Sequence, residues 1–312
     1  MSPAPCASFV SAADALADWK DSVLSGTPPT SWPIGVGAME TIGIGPGWVV
    51  LLGGEPGIGK SALVTQWIID ALRLTPTLKA LIANVEMSVS ELLDRQLARL
   101  TGIDLALIRQ RQLGAEDAER LDRGLDTLDI IADRLTFLRS PFDLANVAAS
   151  VDAVEADLVL LDYIQRFPPP GRDGDRRRAV DATIRHLRSF ADEGLAIIAV
   201  SAVGRQKDAR GGSSYHGLTI ASFRESSELE FGADSAYLLC PDPNRGEDAV
   251  LLHNPKNRHA EPRDMALRFH RAVQRFEPDD GARPPRRDSS RLRTDLAELW
   301  AQTSPAAEEG ED

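Results

Sequence analysis

Gly54-Glu-Pro-Gly-Ile-Gly-Lys-Ser61 follows the apolar run Trp48-Val-Val-Leu-Leu52 and leads into a helix-like segment, 62–72. Strand, glycine turn and helix in that succession are the context in which G-x-x-x-x-G-K-[ST] works as a phosphate-binding P-loop. Gly54, Gly57 and Gly59 let backbone N–H groups turn inward around a phosphate with no Cβ in the way. The helix N-terminus adds partial positive charge at the same point. A nucleotide cradle is therefore predicted over Gly54, Glu55, Pro56, Gly57, Ile58, Gly59, Lys60, Ser61 and Ala62. In such a cradle the Lys60 ammonium reaches the β- and γ-phosphates and the Ser61 hydroxyl holds Mg²⁺.

Outward from the loop, apolar runs alternate with helical segments. Residues 79–86, 135–138, 157–162 and 195–200 read as strands, and 89–100, 115–133, 144–154 and 177–192 as helices. Nearly continuous apolar strands separated by helices imply an α/β fold with a mostly parallel sheet covered on both faces. After residue 234 the segments 235–240, 248–254, 265–271 and 273–276 follow at short spacing, as antiparallel strands do. Near the N-terminus, Ser11 is an N-cap candidate and Leu16, Trp19 and Val23 repeat at helical spacing before the joint Gly26-Thr-Pro-Pro29. That apolar stripe must be buried either on the chain's own core or on a neighbouring subunit, and the residues alone leave both open. Beyond Pro278 the chain is rich in Arg, Asp, Pro and Ser and closes on Glu-Glu-Gly-Glu-Asp. The expected division is 1–29 for the first helix and its joint, 30–278 for the main domain, and 279–312 for a charged, largely disordered tail with a short helix at 294–301.

Composition sets the outer limits. With 312 residues, 43% of them hydrophobic and 26% charged, one soluble α/β domain with extensions fits better than two equal domains. No apolar run approaches the ~20 residues that cross a bilayer, so no membrane partner is expected. The first residues lack a basic segment followed by an apolar one, so no export signal is expected. The two cysteines, Cys6 and Cys240, are far apart and the five histidines are scattered, which speaks against a disulfide framework or a zinc site and for a reducing cytoplasm. A net charge of −12 opposes indiscriminate coating of nucleic acid but not a local basic channel. Arginines cluster at 172–178, 204–210 and 283–293, either as such a channel or as solvated loops.

A phosphate cradle only binds; hydrolysis needs acids beside it. Asp162 closes an apolar strand and so falls at the carboxyl edge of a parallel sheet, where it can hold Mg²⁺ directly or through water. Glu86 ends the strand after the P-loop helix and falls at the same edge. Its carboxylate either polarises the water that attacks the γ-phosphate or starts the next helix beside Ser88 and Ser90. Ser201, at the end of the 195–200 strand, is placed to sense the γ-phosphate.

These residues occur in a telling series: Asn84-Val-Glu-Met-Ser88, Leu100-Thr-Gly-Ile-Asp104, Leu161-Asp-Tyr-Ile-Gln165, Ala199-Val-Ser201, Arg224-Glu-Ser226 followed by Ala233-Asp234, and Lys256-Asn-Arg258. The series resembles the motor domain of the DnaB-type replicative helicases, a branch of the RecA-like P-loop ATPases, over roughly residues 30–277. The resemblance implies a RecA-like fold, ATP and Mg²⁺ as cofactors, and a ring-forming homo-oligomer, a hexamer, that acts on single-stranded DNA. It implies that Glu86 is the catalytic glutamate, that Asp162 is the Walker-B acid, and that Gln165 links the nucleotide to the nucleic-acid loops. Lys256 and Arg258 match a basic pair that reaches a neighbour's γ-phosphate, as an arginine finger does. Arg224 and Glu225 match the loop that touches the DNA backbone.

Departures from the pattern matter as well. Gln usually follows the sensor serine, where Ala202 stands here, and Gly usually follows Arg-Glu-Ser, where Ser227 stands. About 45 residues precede the motor, too few for the helical domain that recruits primase in replicative members. The helix at 11–24 sits where the family's linker helix docks on an adjacent subunit. The expectation is an ATP-hydrolysing helicase or translocase of accessory, plasmid- or phage-type character, with a protein loader as a further partner. The alternative is a nucleotide-gated switch of the same fold that acts through a protein partner without unwinding; a third reading, a RecA-related filament on DNA, has no obvious N-terminal polymerisation motif in this sequence to support it.

Overall fold

The computed structural model describes residues 10–168, 176–204, 206–207, 213–214, 218–223 and 232–279. Helix α1 (Ala12–Ser25) precedes a short antiparallel hairpin of β1 (Trp32–Pro33) and β2 (Gly43–Ile44). There follow β3 (Val49–Gly54), α2 (Lys60–Leu74), β4 (Ala80–Asn84), α3 (Val89–Thr101), α4 (Leu105–Gln110) and α5 (Ala118–Ala132). Next come β5 (Leu135–Phe137), α6 (Leu144–Val154), β6 (Leu158–Asp162), α7 (Arg176–Asp192) and β7 (Ala196–Val200). The dipeptide strands β8 (Gln206–Lys207) and β9 (Ser213–Ser214) pair with each other. The chain continues through β10 (Ser235–Pro241), β11 (Ala249–Asn257), β12 (Met265–His270) and β13 (Arg275–Pro278).

Among the described residues, nine strands form one sheet in the order β13-β12-β11-β10-β3-β7-β6-β4-β5. Pairing is parallel from β10 through β5 and antiparallel from β10 outward to β13. This is the mostly parallel sheet expected from the alternating pattern, with antiparallel strands added at the C-terminal end, and it agrees with the RecA-like fold that the resemblance implied. Strands β3, β4, β6 and β7 are buried at every position. The reason lies in the pleat: successive side chains point to opposite faces, and helices cover both. Val50, Leu52, Leu160 and Ile198 pack with Leu63, Trp67 and Ile68 of α2. Val49, Leu51, Leu161 and Ile197 pack with Val147 of α6 and Leu187 of α7.

Parallel pairing brings the strands' carboxyl ends to one edge. The register sets Asn84 beside Asp162, Asp162 beside Val200, and Val200 beside Leu52, two residues before the P-loop. Strand β4 stops at Asn84, short of the 79–86 read from sequence, because the Asn84 Oδ1 accepts the backbone N–H groups of Glu86 (3.0 Å) and Met87 (2.8 Å) and draws them out of the ladder. Helix α4 has no counterpart in the sequence reading. It is six residues long, capped by Asp104, and buries only Leu105 and Ile108, too few to show a period. The first turn of the 115–133 segment is a separate 3₁₀ turn, Ala115–Asp117, ahead of α5.

Helix α1 starts at Ser11, whose side chain accepts the Asp14 N–H, and stops at Gly26 in the left-handed conformation (φ 69°). Its Leu16, Trp19 and Val23 are 45, 59 and 55% exposed, so the stripe does not lie on the chain's own core. Of the tail, Asp279 is described and receives Arg245 and Arg268 at 3.3 Å; residues 280–312, with the helix expected at 294–301, lie outside the described residues. Among the described residues no helix is long and apolar enough to cross a membrane.

Candidate nucleotide site

The P-loop turns tightly at the end of β3. Gly54 has φ 154°, and a Cβ there would stand 2.7 Å from the Leu239 carbonyl oxygen. Gly59 has φ 103°, and a Cβ there would stand 2.8 Å from both Phe269 and Phe276, rings stacked with centroids 4.2 Å apart. The glycine thus serves two needs: a backbone turn denied to other residues, and close packing of the β12–β13 hairpin on the loop. Ile58 is buried in the core, so it contributes backbone only to the loop's mouth. Helix α2 begins at Lys60 with Gly59 as N-cap, so no capping side chain competes for its first N–H groups. Lys60 Nζ donates to the carbonyls of Gly54 (3.0 Å) and Glu55 (2.9 Å). Burial lowers its pKa, and Asp162, Glu86 and Glu55 pull it back up.

The two acids meet this lysine from the neighbouring strands. Asp162 is 2% exposed; burial pushes its carboxyl up to about 6, a hydrogen bond from Ser61 and the charge of Lys60 oppose this, and Glu86 adds to it. Asn84 Nδ2 donates to Asp162 Oδ2 at 2.8 Å. One amide side chain therefore supports the first acid with its nitrogen and anchors the backbone of the second with its oxygen. Helix α3 is capped by Ser88 and Glu91, which form a reciprocal capping box. The cap role that the sequence left open for Glu86 is thus filled by Glu91, and Glu86 faces the cavity. A Ser61 hydroxyl and an Asp162 carboxylate are oxygen donors of the type a hard cation such as Mg²⁺ takes, and a buried carboxylate that resists ionisation gains most from one.

Gly54, Pro56, Gly57, Gly59, Lys60, Ser61, Ala62, Glu86, Asp162 and Ser201 line one cavity of about 690 Å³. Three residues that sequence reasoning missed also line it: Arg95 from α3, and Arg271 and Gln274 from the turn between β12 and β13. Arg271 Nη1 donates to the Gly57 carbonyl (3.1 Å) and its guanidinium lies 5.1 Å from the Phe269 ring centre. Arg95 Nη1 donates to Gln274 Oε1. Arg95 lies on the helix that follows the Glu86 loop, and that position is the signal that could have found it; Arg271 and Gln274 carry no local signal.

The remaining candidates fall elsewhere. Gln165 stands outside the cavity lining; its Nε2 donates to Ser201 Oγ (3.0 Å) and its Oε1 accepts the Ala202 N–H (3.3 Å). Ser201 is fully buried, with its N–H on the Leu52 carbonyl. Arg258 sits at the amino end of β3, with its N–H on the Asp234 carbonyl and the Asp234 N–H on that of Val49, while Lys256 stands at mid-strand, paired with Ala236, which is level with Leu51; neither lines the cavity. Arg224 and Glu225 lie outside the described residues, as do most of the three arginine clusters.

Sheet order and pairing define the class: a RecA-like α/β protein. Residues 38–278 match the model of the DnaB-like helicase C terminal domain, and the chain belongs to that family. It is 24% identical over 245 residues to a probable plasmid replicative DNA helicase of Chlamydia trachomatis, covering 73% of this chain and 50% of that protein. It is 26% identical over 209 residues to the replicative DNA helicase DnaB of Buchnera aphidicola subsp. Baizongia pistaciae, covering 65% and 44%. The chain thus spans about half the length of these curated relatives. A solved ATPase domain superposes with a TM-score of 0.75 at 19% identity, covering 86% of this chain and 99% of that one. A DnaB-like replicative helicase, solved in a study of its interactions with primase, superposes with a TM-score of 0.72 at 19% identity, covering 86% and 67%.

Proposed function

We propose that this protein is a Mg²⁺-dependent ATPase of the DnaB type that assembles as a homohexameric ring and moves along single-stranded DNA. The observation that carries the reading is the convergence of Lys60, Ser61, Glu86 and Asp162 on one cavity although they come from three separate segments. In this reading Lys60 exchanges its two carbonyl partners for the β- and γ-phosphates, while the N–H groups of residues 57–62 wrap the phosphate chain. Ser61 and Asp162 hold Mg²⁺, which supplies charge neutralisation at the phosphate oxygens. Glu86 orients the attacking water and takes its proton, from a backbone held by Asn84. Arg95 and Arg271 add positive charge along the cavity wall. Gln165 reports the state of the site to the loop after β7 through Ser201. Lys256 and Arg258, absent from the lining of their own cavity, act on the nucleotide of a neighbouring copy, and Arg224 and Glu225 meet the DNA backbone. The exposed Leu16, Trp19 and Val23 of α1 support docking of residues 1–29 on a neighbour, beside the motor domain 30–278.

ATPase rates with and without single-stranded DNA at low salt, together with the molar mass in solution with a non-hydrolysable nucleotide, test the reading. DNA-stimulated turnover by a hexamer is expected, abolished in Lys60→Ala. Arg258→Ala should bind ATP with turnover suppressed to a measurable residual rate, and should poison parent subunits when mixed; simple dilution would remove the role in trans. Turnover indifferent to DNA would favour the nucleotide-gated switch acting through a protein partner.

A further inference from the structure

Arg258 can help a neighbour only if its guanidinium leaves the domain edge in a defined direction, and its surroundings at the amino end of β3 bear on this. Its backbone N–H donates to the Asp234 carbonyl (2.9 Å), and its Nη1 to Asp234 Oδ1 (3.1 Å). The other carboxylate oxygen, Oδ2, accepts the Val49 N–H (2.8 Å) and Arg188 Nη1 (2.7 Å). The Asp234 N–H donates in turn to the Val49 carbonyl (2.8 Å). Asp234 is thus tied to the P-loop strand through backbone and side chain together, and its side chain is only 8% exposed, while that of Arg258 is 48% exposed. The residue after the arginine is clamped as well: the His259 ring stacks on Trp48, with centroids 3.7 Å apart and planes 5° apart. Asn257 Oδ1 accepts the N–H groups of His259 (3.0 Å) and Ala260 (3.1 Å).

We propose that Asp234 is a positioning residue for Arg258. Its carboxylate, fixed to β3 by Val49 and Arg188, sets the direction in which the guanidinium projects, and the Trp48–His259 stack holds the turn from which it projects. The proposal rests on the trans role of Arg258 given above. An arginine side chain has about 2 kcal/mol of rotamer entropy to lose, and a cation already ordered before the phosphate arrives loses it in advance. The carboxylate's charge is not needed for the strand pairing, because an asparagine oxygen accepts the Val49 N–H equally well. Arg188 keeps Asp192 (2.9 Å) and the Gly47 carbonyl (2.8 Å) as partners without it. What Asp234→Asn removes selectively is the ionic hold on the two guanidinium groups.

The test is a double-mutant cycle on the full chain, reading kcat, KM for ATP, nucleotide affinity and thermal midpoint for Asp234→Asn, Arg258→Ala and the pair. Asp234→Asn should lower kcat about tenfold with KM and nucleotide affinity within about twofold of the parent, and should cost nothing further in the Arg258→Ala background. His259→Ala, at an exposed position, should lower kcat by a smaller factor, about threefold, with the same non-additivity and with a thermal midpoint close to the parent's. A parent-like kcat in Asp234→Asn beside a strongly impaired Arg258→Ala overturns the positioning role and leaves the trans role standing. So do losses that multiply in the double variant. Parent-like turnover in Arg258→Ala alone removes the trans role itself, and this proposal with it. Should Asp234→Asn not fold, His259→Ala decides, and an unchanged kcat there counts against the proposal.

Discussion

Replacing Asn84 by alanine removes three hydrogen bonds from the centre of the candidate site. Asn84 is 6% exposed; its nitrogen donates to Asp162 Oδ2 at 2.8 Å and its oxygen accepts the N–H groups of Glu86 and Met87 at 3.0 and 2.8 Å. The bond to the carboxylate is the strong one, worth about 1.5–3 kcal/mol; the two amide bonds contribute about 0.5–1.5 kcal/mol each. Because the amides stand at the cavity mouth, water can replace part of what they lose. A loss of about 2–4 kcal/mol is therefore expected, a large fraction of the roughly 5–15 kcal/mol that holds a domain folded. Urea unfolding should show it as a lower midpoint with an unchanged slope. Turnover should fall beyond what stability explains, because Asp162 loses a donor that favours its charged form and Glu86 loses the anchor of its backbone. The comparison is made at a temperature where both proteins are folded, with nucleotide affinity as the control. If Asn84→Ala unfolds at the parent's midpoint and hydrolyses ATP at the parent's rate, these contacts do not hold the two acids, and the construction of the site argued above is wrong.

Other outcomes can be stated more briefly. Gly57→Ala should cost about 1–2 kcal/mol, since φ is 79° but a Cβ meets nothing within 4 Å. Gly59→Ala should cost about 1–3 kcal/mol more, because its Cβ collides with Phe269 and Phe276; equal costs in urea unfolding would refute that packing. Glu86→Gln should bind ATP about as tightly as the parent and release phosphate at least about 100-fold more slowly; parent-like release would dismiss Glu86 as the base. Burial pushes the Asp234 carboxyl up, but the Val49 N–H and the Arg188 and Arg258 guanidinium groups outweigh it and leave it below its ordinary 3.8. Its stabilising effect is complete above that value and is lost as the pH falls through the lowered one. The stability gap between the parent and Asp234→Asn should accordingly narrow below about pH 4 in unfolding experiments; a gap that widens there would contradict the ion pairing.

Much of the fold was readable one segment at a time. The 144–154 helix, the 89–100 helix and the strands at 157–162 and 195–200 were placed to within a residue or two, because hydrophobic period and capping residues act within a single turn or pleat. The glycine cradle was readable for the same reason: its conformational demands are local to residues 54–61. Local patterns failed where a side chain intervened from a distance or an element was too short. Asn84 ends β4 early by claiming two amides, and α4 has only six residues.

The alternation of strand and helix, the phosphate loop, and the acids that end the neighbouring strands can all be read from short windows of residues. Which groups meet depends on the assembled layers. Asn84 reaches Asp162 across 78 positions, Arg271 reaches Gly57 across 214, and Arg258 is gripped by Asp234 from 24 positions away. Strand order and register bring about these meetings, and both are set by the packing of helices on the two faces of the whole sheet. Backbone sterics and periodicity are properties of a short window, whereas the partners of a buried polar group depend on all the layers around it.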